Sequence, residues 1–225
     1  MEEQEFRPDG HAAALAERER LGRWRMTAPN RQGTFRKRWG EARLHLYEHG
    51  LVVTDPEGLE QVHRWDATAA VLQNLVTVNG ALRHSTYTLI DAHGAALTVG
   101  RGSPDLLNRH FERLGATSHT RGPGFVYERA WGPEVQKGVA SAQLPTAIAR
   151  LSRGETLAFG AVSLDRDGMS VGKKTESWSR IAEVYLRDGM LKADDASGRL
   201  LLIGSGINGI PNLYLLLTLA QQLQR

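Results

Sequence analysis

The residues in this chain that could do chemistry are a glycine-rich run near the end, a group of histidines in the first third, and two clusters of basic side chains. Gly204-Ser205-Gly206-Ile207-Asn208-Gly209 has the spacing G-x-G-x-x-G, in which backbone amides at a helix start can hold a pyrophosphate. That use requires a βαβ unit with alternating strands and helices after it, and here only sixteen residues follow. The run reads instead as a turn into a final helix. A nucleophile elbow needs G-x-S-x-G, and residues 203–207 read Ile-Gly-Ser-Gly-Ile. No catalytic residue and no cofactor are assigned. His45, Tyr47 and His49 fall on one face of a regular strand, with His63 on a candidate neighbour. A zinc site needs three or four convergent ligands. There is no HExxH or comparable spacing, so these histidines are read as structural or surface groups and no metal is assigned.

The basic clusters point to anions. Arg18, Arg20, Arg23, Arg25, Arg31 and Arg36-Lys37-Arg38 alternate with Trp24, Phe35 and Trp39. Guanidinium and ammonium groups among aromatic rings can hold phosphates and stack on bases or settle at a membrane surface. The plainer reading is a solvated strand face with its aromatics packed inward. A second cluster is Gly172-Lys173-Lys174 with Arg180, although exposed loop lysines are ordinary. The corresponding loop of the first half, Asp55-Pro56-Glu57, would repel phosphate. The candidate anion-binding residues are therefore Arg36, Lys37, Arg38, Lys173, Lys174 and Arg180.

The net charge of +3 is unevenly spread. Residues 1–17 hold one arginine against five acids, residues 18–43 hold nine basic residues against two acids, and the remainder balances. The 41% apolar and 24% charged content is that of a globular protein. Its 225 residues suffice for two small cores. The absence of cysteine rules out a disulfide framework and thiolate chemistry. The acidic start has no apolar core to act as a secretory signal. No apolar stretch reaches the ~20 residues of a transmembrane helix. A cytoplasmic protein is expected, peripheral to the membrane if the basic segment binds lipid.

Four blocks recur in the same order. Residues 46–53 resemble 164–171, at an offset of 118. Trp65 with Thr68, Ala69 and Val71 resembles Trp178 with Ile181, Ala182 and Val184, at 113. Asp91-Ala92-His93-Gly94 resembles Asp195-Ala196-Ser197-Gly198, at 104, and Pro104-Asp105-Leu106 resembles Pro211-Asn212-Leu213, at 107. Small drifts in offset are what loop insertions leave between diverged copies. The glycines at 50 and 168 stand between apolar runs, where a hairpin turn calls for positive φ. Alternating apolar residues predict strands near 33–38, 42–48, 51–54, 59–64, 68–78, 81–90 and 95–99, then a helix over 103–114. The second half predicts strands near 157–165, 169–173, 178–187, 190–193 and 199–203, then a helix over 210–223 with proline at its start. Asn79-Gly80 and Asp188-Gly189 are the strongest hairpin signals. The expected organisation is an N-terminal extension at 1–32 (short helix, basic stretch), a domain at 33–114, a linker with a short helix at 115–154, and a second domain at 155–225.

Strands closed by one helix, the Gly50/Gly168 hairpins, the Trp65/Trp178 strands and the Asp-Ala-x-Gly turns together resemble the pleckstrin-homology-like (PH-like) fold. Over about residues 33–225 the chain is similar to uncharacterised bacterial proteins with two such domains. The resemblance implies a mainly β protein of two tandem PH-like small barrels, each capped by a C-terminal helix, with the second one or two strands short. It also implies a binding module, because PH-like domains bind lipid headgroups or peptides and seldom catalyse; some hold phosphoinositides with basic residues in early hairpin loops. The tryptophans read as core. Leu213, Tyr214, Leu216 and Leu217 belong to a helix apolar nearly all round, which needs a second surface to cover it. They are the candidate interface. The expected function is a non-enzymatic interaction or scaffolding module that binds a protein partner or self-associates. The alternative is a peripheral binder of anionic lipid or polyanion through residues 18–43 and the Lys173-Lys174 loop, with nucleic acid the less favoured ligand.

Overall fold

Alternation over 42–54 predicts strands with one wet face, but the structure buries both faces. In the computed structural model, which describes residues 7–30, 41–55, 58–79, 81–101 and 108–224, the strand Gly50–Thr54 is buried at every position. The chain divides into two compact units, Met1–Val71 with Leu75–Gly138, and Leu72–Asn74 with Val139–Arg225. The expected strand at 33–38, with Arg36, Lys37 and Arg38, lies outside the described residues, as do Gly80 and Pro104.

In the first unit α1 (Gly10–Arg18) precedes β1 (Trp24–Pro29), β2 (Arg43–Tyr47), β3 (Gly50–Thr54) and β4 (Glu60–Arg64). These four strands form an antiparallel meander in chain order. β5 (Thr68–Val78), β6 (Ala81–Asp91) and β7 (Ala95–Arg101) lie side by side in a second sheet. After the short α2 (Asn108–Arg113), β8 (Ser118–Arg121) joins β7 in parallel. α1 explains the doubly buried meander. Ala12, Leu15 and Ala16 cluster with Leu21, Tyr47 and Val52, covering the face opposite Leu44, Leu46, Leu51 and Val53. The helix starts where the Asp9 carboxylate accepts the Ala12 N–H at 2.7 Å. It stops in a Schellman pair: Leu21 N–H donates to the Ala16 carbonyl and Arg20 N–H to the Glu17 carbonyl.

The long α3 (Glu128–Ser152) replaces the expected linker and short helix. Gly132, Pro133, Gly138 and Pro145 hid it, since glycine and proline both disfavour helix interiors. Tertiary contact explains the glycines. A Cβ at Gly132 would collide with the Tyr87 ring, and one at Gly138 would lie 2.5 Å from Nε1 of Trp65. Trp131, fully buried, meets Tyr87 edge-on at 5.0 Å and Phe125 at 6.4 Å. The start of α3 thus packs on these first-unit rings, while the expected helix at 103–114 is described only from Asn108 to Arg113.

In the second unit β9 (Leu157–Phe159), β10 (Val162–Leu164), β11 (Gly168–Val171) and β12 (Lys174–Ser177) form a four-stranded antiparallel meander. β13 (Glu183–Arg187), β14 (Met190–Asp194) and β15 (Leu200–Gly206) form a three-stranded one. A 3-10 turn at Ile207–Gly209 leads to α4 (Leu213–Leu223). The single strand expected at 157–165 is two, because Gly160 turns the chain at φ +70°. The expected strand at 178–187 begins only at Glu183, and β12 occupies the charged stretch before it. This unit is therefore not short of strands. The protein is mainly β, with four sheets and a few helices, one of them at the C-terminal end, among the described residues. The sheets are open, and no closed barrel forms among the described residues. No helix among the described residues is long and apolar enough to cross a membrane.

Several local devices occur in both units. Gly50 and Gly168 are not in the left-handed region, contrary to expectation. Each instead lets the facing strand pass close, since a Cβ would strike the carbonyl of His63 or Glu176. Just beyond those carbonyls, Trp65 N–H donates back to His49 O at 3.0 Å and Trp178 N–H to Asp167 O at 3.1 Å. Oδ1 of Asp91 accepts from the amides of His93 and Ala95, and Oδ1 of Asp195 from those of Ser197 and Arg199. Gly94 and Gly198 complete these turns at φ +85° and +81°. Asp188 (φ +56°) and Gly189 (φ +71°) make the expected type I′ hairpin.

Alanine in place of glycine inside a helix ordinarily stabilises by up to about 1 kcal/mol. Gly138→Ala should do the reverse, by about 1–3 kcal/mol, because the methyl must displace the Trp65 indole. Urea unfolding of the two proteins measures the sign. An unchanged or stabilised variant would contradict the packing.

Candidate functional site

The basic loop of the second unit does not present three free cations. Arg180 pairs with the buried Glu176 at 2.6 Å, and Lys174 approaches the same carboxylate at 3.9 Å while donating to the Leu201 carbonyl. Lys173 is exposed beside Gly172, which turns at φ +60°. An anion here would compete with a carboxylate already in place.

The candidate interface on α4 is largely absorbed by its own unit. Leu213 and Leu216 are buried, and Tyr214 and Leu217 are half-buried against a core that includes Ala140, Ala147 and Leu151 of α3. The second surface expected for this helix is thus mostly supplied within its unit.

Exposed apolar surface lies on β15 instead. Leu200 is 48% and Ile203 54% exposed, while Leu201 and Leu202 between them are buried. A bulge makes this possible. Ala193 pairs with Leu202 but Asp194 with Leu200, so one extra residue is inserted at Leu201. Leu200 and Ile203 then share the face of Asp194 and Lys192. On that face the Tyr185 hydroxyl donates to Asp194 Oδ2 at 2.8 Å, and the Arg187 guanidinium lies 5.1 Å from the centre of the Tyr185 ring. Four consecutive apolar residues carry no register in the sequence, so this patch had no readable signal.

A second feature lies in the first unit beside α1. A groove of about 540 Å³ has Trp24 and Tyr47 among its lining residues, with Ala13 and Ala16 of α1 and with Arg7 and Arg20. Arg20 and Trp24 belong to the basic-aromatic segment noted in the sequence. Tyr47 comes from β2 and could not be placed with them. At one end of the helix, the Arg64 guanidinium holds Asp66 through two bonds of 2.9 and 2.7 Å and donates to the Glu19 carbonyl. Next to the groove, Arg23 and Arg25 share one carboxylate, Glu48, at 3.4 and 3.3 Å.

The histidines do not converge. His45 lies on the α1 face of the meander, paired across to Val52, whereas His63 pairs with Leu51 on the other face. Among the described residues no three His, Asp or Glu side chains form a group that could hold a metal ion. Gly204 and Gly206 lie within β15, so the glycine fingerprint does not open a helix.

His45 is buried beneath the start of α1. Its Nδ1 is 2.8 Å from Thr27 Oγ1, which also accepts from Trp24 Nε1 at 3.1 Å, while Nε2 has no hydrogen-bond partner among the described residues. Burial drives this imidazole down to about 4, opposed by the Asp9 carboxylate and reinforced by Arg43. Burial likewise pushes the neighbouring Tyr47 phenol up to about 12. A histidine whose folded pKa lies below its unfolded value stabilises the fold fully above 6.5, and that stability is lost as pH falls toward 4. Between pH 7 and 4.5 the loss from His45 should be roughly 2 kcal/mol. Urea unfolding at the two pH values checks it: His45→Gln should lose that much less than the native protein, and equal losses would refute the assignment.

The model of a family described as a family of unknown function (DUF6585) matches residues 127–225, which take in all of α3 and β9 to α4. No curated protein and no solved structure matches the chain.

Proposed function

We propose that the protein is a non-enzymatic interaction module of two tandem PH-like units that binds a protein partner or a second copy of itself. The duplication is supported by connectivity and by local chemistry. In each unit a four-stranded meander is followed by a three-stranded run, and the Gly50/Gly168, Trp65/Trp178 and Asp91/Asp195 devices recur at the same places. Both units commit most of their apolar side chains to packing.

The observation that carries the binding role is the bulge at Leu201, which turns Leu200 and Ile203 outward at about half exposure. Exposed apolar side chains bordered by Tyr185, Lys192 and Asp194 suit a protein surface. Replacing both with lysine should leave the melting temperature within a few degrees and abolish association. Sedimentation equilibrium and affinity capture, comparing native and double-variant protein, read the effect. Unchanged mass together with an unchanged set of captured proteins would overturn this reading.

A second reading is the anionic-lipid or polyanion binder. It is favoured by Arg23 and Arg25 sharing the single carboxylate of Glu48, which leaves that strand edge with excess positive charge. Here binding to vesicles rich in phosphatidylserine should fall steeply between 50 and about 200 mM salt. Binding that ignores salt, or no binding at all, would eliminate it.

A further inference from the structure

We propose that the groove beside α1 is a binding site for a planar aromatic organic anion, of the aryl carboxylate or aryl sulfonate class. Its ring would rest on Trp24 and Tyr47 and its charged group would meet Arg20. The site is independent of the β15 face.

Shape is the first argument. About 540 Å³ is within the range of small-ligand sites. Ala13 and Ala16, one turn apart on α1, leave room that larger side chains would fill. The aromatic floor is held in place. Trp24 Nε1 is engaged by Thr27 at 3.1 Å, and the buried Tyr47 donates its hydroxyl to the Ala12 carbonyl at 3.4 Å. Fixed rings offer a ligand an ordered surface without the entropic cost of arranging it.

Charge is the second. Arg20 lines the groove, is exposed, and forms no ion pair with the described residues. Arg7 lies on the same lining, and Glu17 is the one acid among its described lining residues. Nearby, Arg23 and Arg25 divide the single carboxylate of Glu48, so among these described side chains the arginines outnumber the carboxylates. A planar guanidinium both pairs with a carboxylate or sulfonate and stacks on a ring, which an ammonium does less well.

The third argument is what Arg20 does to its own helix. It occupies the residue after the α1 cap at φ +56°, the position of the Schellman pair where glycine is most at ease. An arginine there is held at a local cost, and the groove gives its guanidinium a use that glycine could not supply. An inorganic phosphate would leave the aromatic floor bare, and a neutral hydrocarbon would leave Arg20 without a role.

Arg20→Gly separates binding from folding, because it should relax the backbone while deleting the cation. The full-length protein is titrated with 8-anilinonaphthalene-1-sulfonate, with the neutral N-phenyl-1-naphthylamine, and with inorganic phosphate as competitor at constant ionic strength. The native protein should bind the sulfonate saturably at one site, about tenfold more tightly than the neutral probe, and phosphate should not displace it. Arg20→Gly should weaken sulfonate binding about tenfold while raising the melting temperature by about 2–4 °C. Trp24→Leu should weaken both aromatic probes. Equal affinity of native protein and Arg20→Gly for the sulfonate, equal affinity of the native protein for the two probes, or displacement by phosphate would each overturn the proposal.

Discussion

Where one strand crosses close over a glycine, the rest of each unit follows. At Gly50 and Gly168 a side chain of any size would strike the carbonyl of the facing strand, so the hairpin closes only because none is present. The next residues along that facing strand are Arg64 and Trp65 in one unit, Ser177 and Trp178 in the other, and each tryptophan amide bonds back across the crossing. The crossing thereby fixes where a large indole enters the core. In the first unit that indole lies against Gly138, so the path of α3 over this unit depends on a contact set far earlier in the chain, at Gly50. Removing one methyl group from the chain at two places, 50 and 138, is what lets strand, indole and helix backbone stack.

Burial on both sides of the first meander has a further effect. β3 cannot show solvent an alternating polar face, because α1 covers it. A sheet covered on both faces is a rigid support, and the aromatic side of the groove beside α1 is built partly on it. The arrangement also traps His45 where protonation is disfavoured, a by-product of placing a polar side chain under a helix. In the second unit α4 is absorbed by the core while β15 keeps two side chains outside. Exposed Leu200, Ile203 and Arg20 therefore sit where local irregularities, a bulge and a left-handed arginine, interrupt regular packing.

Residues with specific turn chemistry were legible in the sequence. Asp91, Asp195, Asp188 and Gly189 behave as their types dictate, because the bonds that define such turns are local. The importance of Gly50 and Gly168 was visible, but its cause was misread, since close strand approach involves a partner distant in sequence. α3 was illegible over most of its length: two prolines and two glycines contradict helix propensity, and only the Tyr87 and Trp65 rings explain the glycines. Gly160 was lost within an apolar run, so two strands read as one. The groove was half legible. Trp24 and Arg20 stood out by type, but their association with Tyr47 required strand pairing between β1 and β2. The outward turn of Leu200 and Ile203 could not be read, since Leu200-Leu201-Leu202-Ile203 has no polar residue to reveal which side is which.

The irregularity in β15 also bears on how readily that strand could template the addition of another. This strand ends its sheet, and a terminal strand with apolar side chains ordinarily offers its spare amides and carbonyls to any similar strand, the first step of runaway polymerisation. Here the extra residue breaks the regular spacing of those groups, and the Lys174 ammonium occupies the Leu201 carbonyl. Side chains can thus be offered for contact while the backbone is withheld from templating.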